Sequence, residues 1–145
     1  LPVGGHVFAV DLWKDEGIYR TFRSNLDDHI AAGRVIPLRM DGALAAKALG
    51  VRPTLIFIDG EHHEAAIRSD IANWQPLLAE GGLLCGHDYH PDWPDVVRVV
   101  DELLVARQPP NTGIWEALDH LDITPSAPNY GGFFAQGSSA IHQTS

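Results

Sequence analysis

Between Thr54 and Tyr89 the chain reads TLIFIDGEHHEAAIRSDIANWQPLLAEGGLLCGHDY, and no other stretch restricts the fold as much. A short apolar run, Leu55 to Ile58, is bounded by Pro53 and by Asp59-Gly60, which predicts a strand buried on both faces. Ile67, Ile71, Trp74 and Leu78 then recur at helical spacing, with Arg68, Ser69, Asp70 and Asn73 on the other side, and Gly81-Gly82 ends the pattern. A second apolar run, Leu83 to Cys85, stops on Gly86, His87 and Asp88. Strand, helix and strand at this length predict a βαβ unit with parallel strands and a right-handed crossover. Open parallel sheets bind ligands just outside the carboxyl ends of their strands. Topology therefore assigns Asp59, Glu61, His62, His63, His87, Asp88 and His90 to the ligand edge.

The flanking sequence extends the same scheme. Val7 to Val10 runs into Asp11, and Val35 to Met40 runs into Asp41, so two further strands end on an acid. Between them Tyr19, Phe22, Leu26 and Ile30 share one helical face, with Gly33 as the C-cap glycine. Ala43 to Leu49 predicts a short helix, capped by Asp41 or Gly42 and closed by Gly50. Downstream, Asp92 is the expected N-cap and Pro94 the first-turn residue of a helix running to about Arg107, with Val96, Val99, Val100 and Leu103 as its buried stripe. Pro109 and Pro110 break that helix, and residues 113–118 predict a last strand. From Asp122 onward Pro, Ser, Gly and Asn dominate, so the expected organisation is one domain over residues 1–121 and a loosely ordered tail over 122–145. The acids Asp11, Asp41, Asp59 and Asp88 at four strand ends predict a shared cleft for a polyhydroxylated or cationic ligand, or a metal.

Composition narrows the function classes. Among 145 residues, 45% are hydrophobic and 20% charged, as in an ordinary globular domain with a real core. A formal net charge of −9 argues against nucleic acid or an anionic membrane as partner. The single cysteine, Cys85, lies within an apolar run, which excludes a disulfide framework or a cysteine-based zinc site. No apolar run is long enough to span a bilayer and no signal segment opens the chain, so a cytoplasmic location is expected. Oligomeric state is left open, a homo-oligomer included.

Taken together and in order, VFAVDLW, VIPLRMD, TLIFIDGEHH and GGLLCGHDYHPDWPDV resemble the class I S-adenosylmethionine-dependent methyltransferases. The likeness is to small-molecule O-methyltransferases with an acid-Gly-acid-His run after the fourth strand, and it covers roughly Val7 to Leu104. It implies a Rossmann-like three-layer α/β sandwich with a mostly parallel sheet. It also implies that Asp11 binds the ribose hydroxyls of S-adenosylmethionine, that Trp13 lies by the adenine face, that Asp41 lies near the adenine amino group, and that Asp59 sits beside the methionine moiety and the acceptor. Helix capping is the competing reading for Asp11 and Asp41. The family's first strand and glycine-rich loop have no counterpart in LPVGGH, and the chain has no initiator Met, so an N-terminally truncated sheet is expected. Such a sheet would have either a poorly paired interior or a direct pairing of the Val7 and Leu55 strands, and the chain would bind the cofactor weakly by itself.

The same resemblance assigns chemistry to the histidines. His62 matches the family's histidine after the fourth-strand acid, and His87-Asp88 matches its fifth-strand end; either histidine suits a general base that deprotonates an acceptor hydroxyl. Asp59 and Asp88 could instead hold Mg or Mn and lower the hydroxyl's pKa. The base is preferred to the metal. His63 and His90 read as surface residues, and Trp93 beside Pro94 as a wall of an acceptor pocket. The resulting expectation is methyl transfer to a small molecule such as a sugar or secondary metabolite, at oxygen. Two alternatives stand beside it: a metal-dependent hydrolase built on His87, Asp88 and His90, and a Rossmann-like remnant without catalysis.

Overall fold

Val7–Asp11 (β1) and Val35–Arg39 (β2) form a parallel pair whose register runs from Val7 opposite Val35 to Asp11 opposite Arg39. They come from a computed structural model that describes residues 5–110 and 112–118; the tail expected over 122–145 lies outside these. By contacts the chain divides into two units, Leu1–Gly50 and Val51–Ser145, where the sequence suggested one domain. No helix among the described residues is long and apolar enough to cross a membrane.

In the first unit, Asp15 caps helix Glu16–Asn25 (α1), its carboxylate accepting from the Gly17 and Ile18 N–H groups at 2.7 and 3.0 Å. The single helix expected through Ile30 is in fact two. Leu26 leaves helical geometry at φ −119°, and a short helix Asp27–Ala31 (α2) follows. Gly33 takes the left-handed conformation (φ +67°) that a C-cap glycine provides. Helix Gly42–Ala48 (α3) is capped by Asp41, whose Oδ1 accepts from the Leu44 N–H at 3.0 Å, and Gly50 (φ +58°) closes it. Arg39 ties the β1–α1 connection down by donating to the Trp13 and Leu12 carbonyls and to Glu16.

The second unit carries the βαβ segment. Leu55–Ile58 (β3) leads through helix Glu64–Trp74 (α4) to Leu83–Gly86 (β4), and the two strands are parallel. The helix stops before Leu78 because Pro76 cannot continue the α ladder, so Gln75–Leu77 form a 3₁₀ turn instead. Helix Pro94–Leu103 (α5) follows with Pro94 in its first turn as expected. Its N-cap is Trp93 and not Asp92, and no side chain caps it. It ends before Arg107 because Ala106–Arg107 (β5) pair with Trp115–Ala117 (β6), the strand expected at 113–118. The sheet order is β3-β4-β6-β5, with β6 antiparallel to both neighbours.

One face of this sheet, bearing Ile56, Leu84, Trp115 and Ala117, packs on Ile67 and Ile71 of α4 and on Val96, Val99 and Val100 of α5. The opposite face is different: Leu55 is 57% and Phe57 49% exposed. This corrects the expectation of a strand buried on both faces. Both helices of the unit lie on the Ile56 side, and β3 is an edge strand of its sheet. The expected α/β architecture with parallel strand pairs is present, and β6 adds the antiparallel pairings. Among the described residues β1 pairs with β2 within the first unit, and β3 pairs with β4 within the second.

Candidate functional site

The carboxyl edge of β3 and β4 is built on backbone locked by glycine and by a strained turn. A Cβ on Gly86 would lie 2.5 Å from the Ile58 carbonyl oxygen and from the Trp115 ring, so only glycine lets the strands approach there. Next, the His87 N–H donates to that Ile58 carbonyl at 3.0 Å, which continues the ladder past the strand end. Asp88 then adopts φ +60°, a left-handed conformation that a non-glycine residue holds only when its surroundings impose it. Three hydrogen bonds impose it: His90 N–H to the Asp88 carbonyl and Tyr89 N–H to the Gly113 carbonyl, both 2.8 Å, and Gln108 Nε2 to the Tyr89 carbonyl, also 2.8 Å. The Tyr89 hydroxyl donates to Asp101 at 2.5 Å, and burial, reinforced by that carboxylate, pushes its pKa up.

This turn aims both Asp88 oxygens at histidines. Oδ2 lies 2.6 Å from His62 Nε2, and Oδ1 lies 3.1 Å from His87 Nδ1. His87 Nδ1 is in turn 3.7 Å from Asp59 Oδ1. The Asp88 side chain is 18% exposed and that of His62 35%, so their bond is shielded from bulk water but reachable. The His62 ring stacks on Trp93, with centroids 4.0 Å apart and planes 20° from parallel. Asp59, Gly60, His62, His87 and Asp88, with apolar Ile58, Ile67, Val96 and Trp115, line a shallow open pocket.

The adjacent histidines diverge, as their spacing requires. His63 is the N-cap of α4, its Nδ1 accepting from the Ala66 N–H at 3.3 Å. His90 is mostly exposed, accepts from the Asp92 N–H and lies outside the pocket lining. The hydrolase cluster of His87, Asp88 and His90 therefore does not assemble. The group that does is Asp59, His87 and Asp88, whose ligand atoms lie within 4.8 Å of one another. Two carboxylates and an imidazole fit a divalent cation, and the imidazole moves the preference from Mg towards Mn or a later transition metal.

The residues expected to hold a nucleoside lie in the first unit. Asp11 is exposed, and its Oδ1 accepts from the Trp13 N–H at 2.6 Å. This turn engages Oδ1 of the carboxylate. Asp41 is likewise engaged through one oxygen, as the α3 cap. Trp13 departs from expectation: it is 6% exposed, and its ring packs against Tyr19 and Phe22 at 4.9 and 4.7 Å. Its ring is largely covered by side chains of α1.

Two contacts escaped the sequence. His62 and Asp88 are separated by 26 positions. Trp93, read as a pocket wall, proves to be the partner of a histidine from another loop. The only local signal was the Asp-Trp-Pro turn that opens α5.

A family profile described as a methyltransferase domain matches residues 2–89. Among solved structures, the chain is similar to a TDP-rhamnose 3′-O-methyltransferase of calicheamicin biosynthesis, with 14% identity and a TM-score of 0.60 over 77% of this chain and 57% of that one. A Corynebacterium glutamicum protein aligns with 15% identity and a TM-score of 0.62 over 83% of this chain and 65% of its own. A putative caffeoyl-CoA O-methyltransferase from Staphylococcus aureus aligns with 13% identity and a TM-score of 0.59, over 77% and 64%. These likenesses establish a Rossmann-like α/β fold, and the chain spans less than two thirds of each of these structures. No curated protein gives a significant match.

Proposed function

Because the chain belongs to the methyltransferase domain family, we propose that it serves methyl transfer from S-adenosylmethionine to an oxygen of a small-molecule acceptor. The observation that carries this reading is His62, held 2.6 Å from Asp88 at the carboxyl edge of two parallel strands, inside a pocket. The cofactor supplies an electrophilic methyl group on a sulfonium. The chain must then remove the proton of the attacking hydroxyl, and an imidazole that titrates near neutrality suits that task. His62 is the base in this reading. His87, between Asp88 and Asp59, is better placed to share a cation than to meet an acceptor.

Asp59, His87 and Asp88 would hold Mn or Mg, a cation that lowers the pKa of a hydroxyl it binds. The exposed carboxylate of Asp11 keeps an acceptor oxygen for ribose hydroxyls, and Asp41 keeps one for the adenine amino group. Trp13 is left out of this assignment. A net charge of −9 supports a small acceptor over nucleic acid.

The test is a methyl-transfer assay of the full-length protein on a panel of hydroxylated acceptors, with and without chelator. His62→Ala should lower turnover by about 100- to 10,000-fold while leaving cofactor affinity nearly intact. Chelation should abolish turnover, and Mn or Mg should restore it, if the cation takes part. Full activity in both His62→Ala and Asp88→Ala would remove the base and the cation together.

A further inference from the structure

We propose that Asp88 and Trp93 together lock the His62 ring so that Nδ1 is the nitrogen that takes the acceptor proton, with Trp93 a positioning residue. This inference rests on the reading of His62 as the base. A carboxylate only accepts hydrogen bonds, so the nitrogen 2.6 Å from Asp88 Oδ2, His62 Nε2, carries the hydrogen. The neutral imidazole is then the Nε2–H tautomer, and its lone pair is on Nδ1. Among the described residues no hydrogen bond to His62 Nδ1 is recorded.

One hydrogen bond does not fix a histidine ring, because its outer torsion is broad and nearly two-fold. The two partners divide that work. Asp88 selects which nitrogen faces it, and Trp93, stacked at 4.0 Å and 20°, fixes the plane in which the ring lies. Both partners are anchored independently of His62. Asp88 is set by its left-handed turn. Trp93 is set by its N–H bond to the His90 carbonyl at 2.8 Å and by its own carbonyl, which accepts from the Val96 N–H at 3.0 Å. Val96 belongs to the buried core, so the Trp93 backbone is tied to the interior of its unit.

A carboxylate that holds one imidazole nitrogen while the other does the proton transfer is the logic of the hydrolase triad, with the nitrogens exchanged. It is also compatible with a cation, since Asp88 turns its other oxygen towards His87.

Imidazole nitrogen–proton correlation spectra of the ¹⁵N-labelled full chain test this directly. The His62 signal is identified by its loss in His62→Gln. The parent should show neutral His62 as the Nε2–H tautomer, nuclear Overhauser contacts between its ring protons and the Trp93 indole, and upfield-shifted carbon-bound ring protons. Trp93→Leu should abolish the upfield shift, and Trp93→Phe should retain most of it. In the methyl-transfer assay Trp93→Leu should lower kcat by about 10- to 100-fold, the cost of a misplaced group, with cofactor affinity unchanged. An Nδ1–H tautomer in the parent, or absent contacts to the indole, would overturn the proposal without any variant having to fold. Unchanged methyl transfer in His62→Ala would overturn the base reading instead, and the spectra separate that failure from a failure of the clamp.

Discussion

At Gly86 an added Cβ would stand 2.5 Å from the Ile58 carbonyl oxygen and from the Trp115 ring, which is itself 1% exposed. Neither neighbour can yield, since one is strand backbone and the other is fully packed. Gly86→Ala should therefore destabilise the protein by about 1–3 kcal/mol, the cost of overpacking a tight core, read as a lower denaturant midpoint at constant slope. Asp11 has the opposite character: it is exposed, and among the described residues one of its oxygens is engaged. Asp11→Ala should leave stability nearly unchanged yet weaken S-adenosylmethionine binding by about 1.5–3 kcal/mol, the worth of a hydrogen bond to a charged group. Equal affinity of parent and variant in calorimetric titration would remove Asp11 from the cofactor site.

Helices α4 and α5 are joined by charge above the core that joins them by packing. Glu64 accepts from Arg68 at 2.8 Å and from Arg98 at 2.9 Å, Asp95 accepts from the Glu64 N–H at 3.1 Å, and Arg68 also reaches Glu102. Hydrogen bonds from Arg98 and then Arg68 hold the Glu64 carboxyl at about 2, down from 4.5. A depressed acid stabilises the folded state above its unfolded pKa and loses that contribution as pH falls through the folded one. The network should therefore act fully above 4.5 and fade towards 2. Glu64→Gln should flatten the dependence of Tm on pH in that window and change little at neutral pH, because exposed pairs contribute modestly. Beneath the charges the packing dominates. Leu84 is fully buried between the two helices and its sheet, and Leu84→Ala should cost about 2–5 kcal/mol in a denaturant melt.

For the molecule as a whole, the consequential surface is the bare side of the second sheet. Leu55 and Phe57 are both about half exposed and sit on an edge strand, whose free backbone groups can pair with another chain. The net charge of −9 opposes association at low ionic strength, and salt screens that repulsion. Self-association should thus rise with salt and fall in Phe57→Glu, which puts a further negative charge on the edge. Sedimentation velocity at two salt concentrations checks this, and a parent that stays monomeric throughout would show that the edge is protected.

What the sequence determined by itself is what short-range physics determines. The alternation of apolar runs and helical stripes, the glycines at 33 and 50, the Asp41 cap and Pro94 at a helix start all follow from backbone preferences acting within a few residues. So does the placing of Asp59 and His87-Asp88 just past two parallel strands, because parallel pairing follows from strand–helix–strand order. Tertiary structure decided the rest. Whether His62 or His63 meets Asp88, whether Trp93 covers that ring, and whether Trp13 turns its faces to α1 depend on side chains from separate loops or elements. The same holds for β3, whose apolar run reads alike whether one face or two are covered. Burial is set by which elements arrive on each side, and that is a property of the packed chain that no local pattern contains.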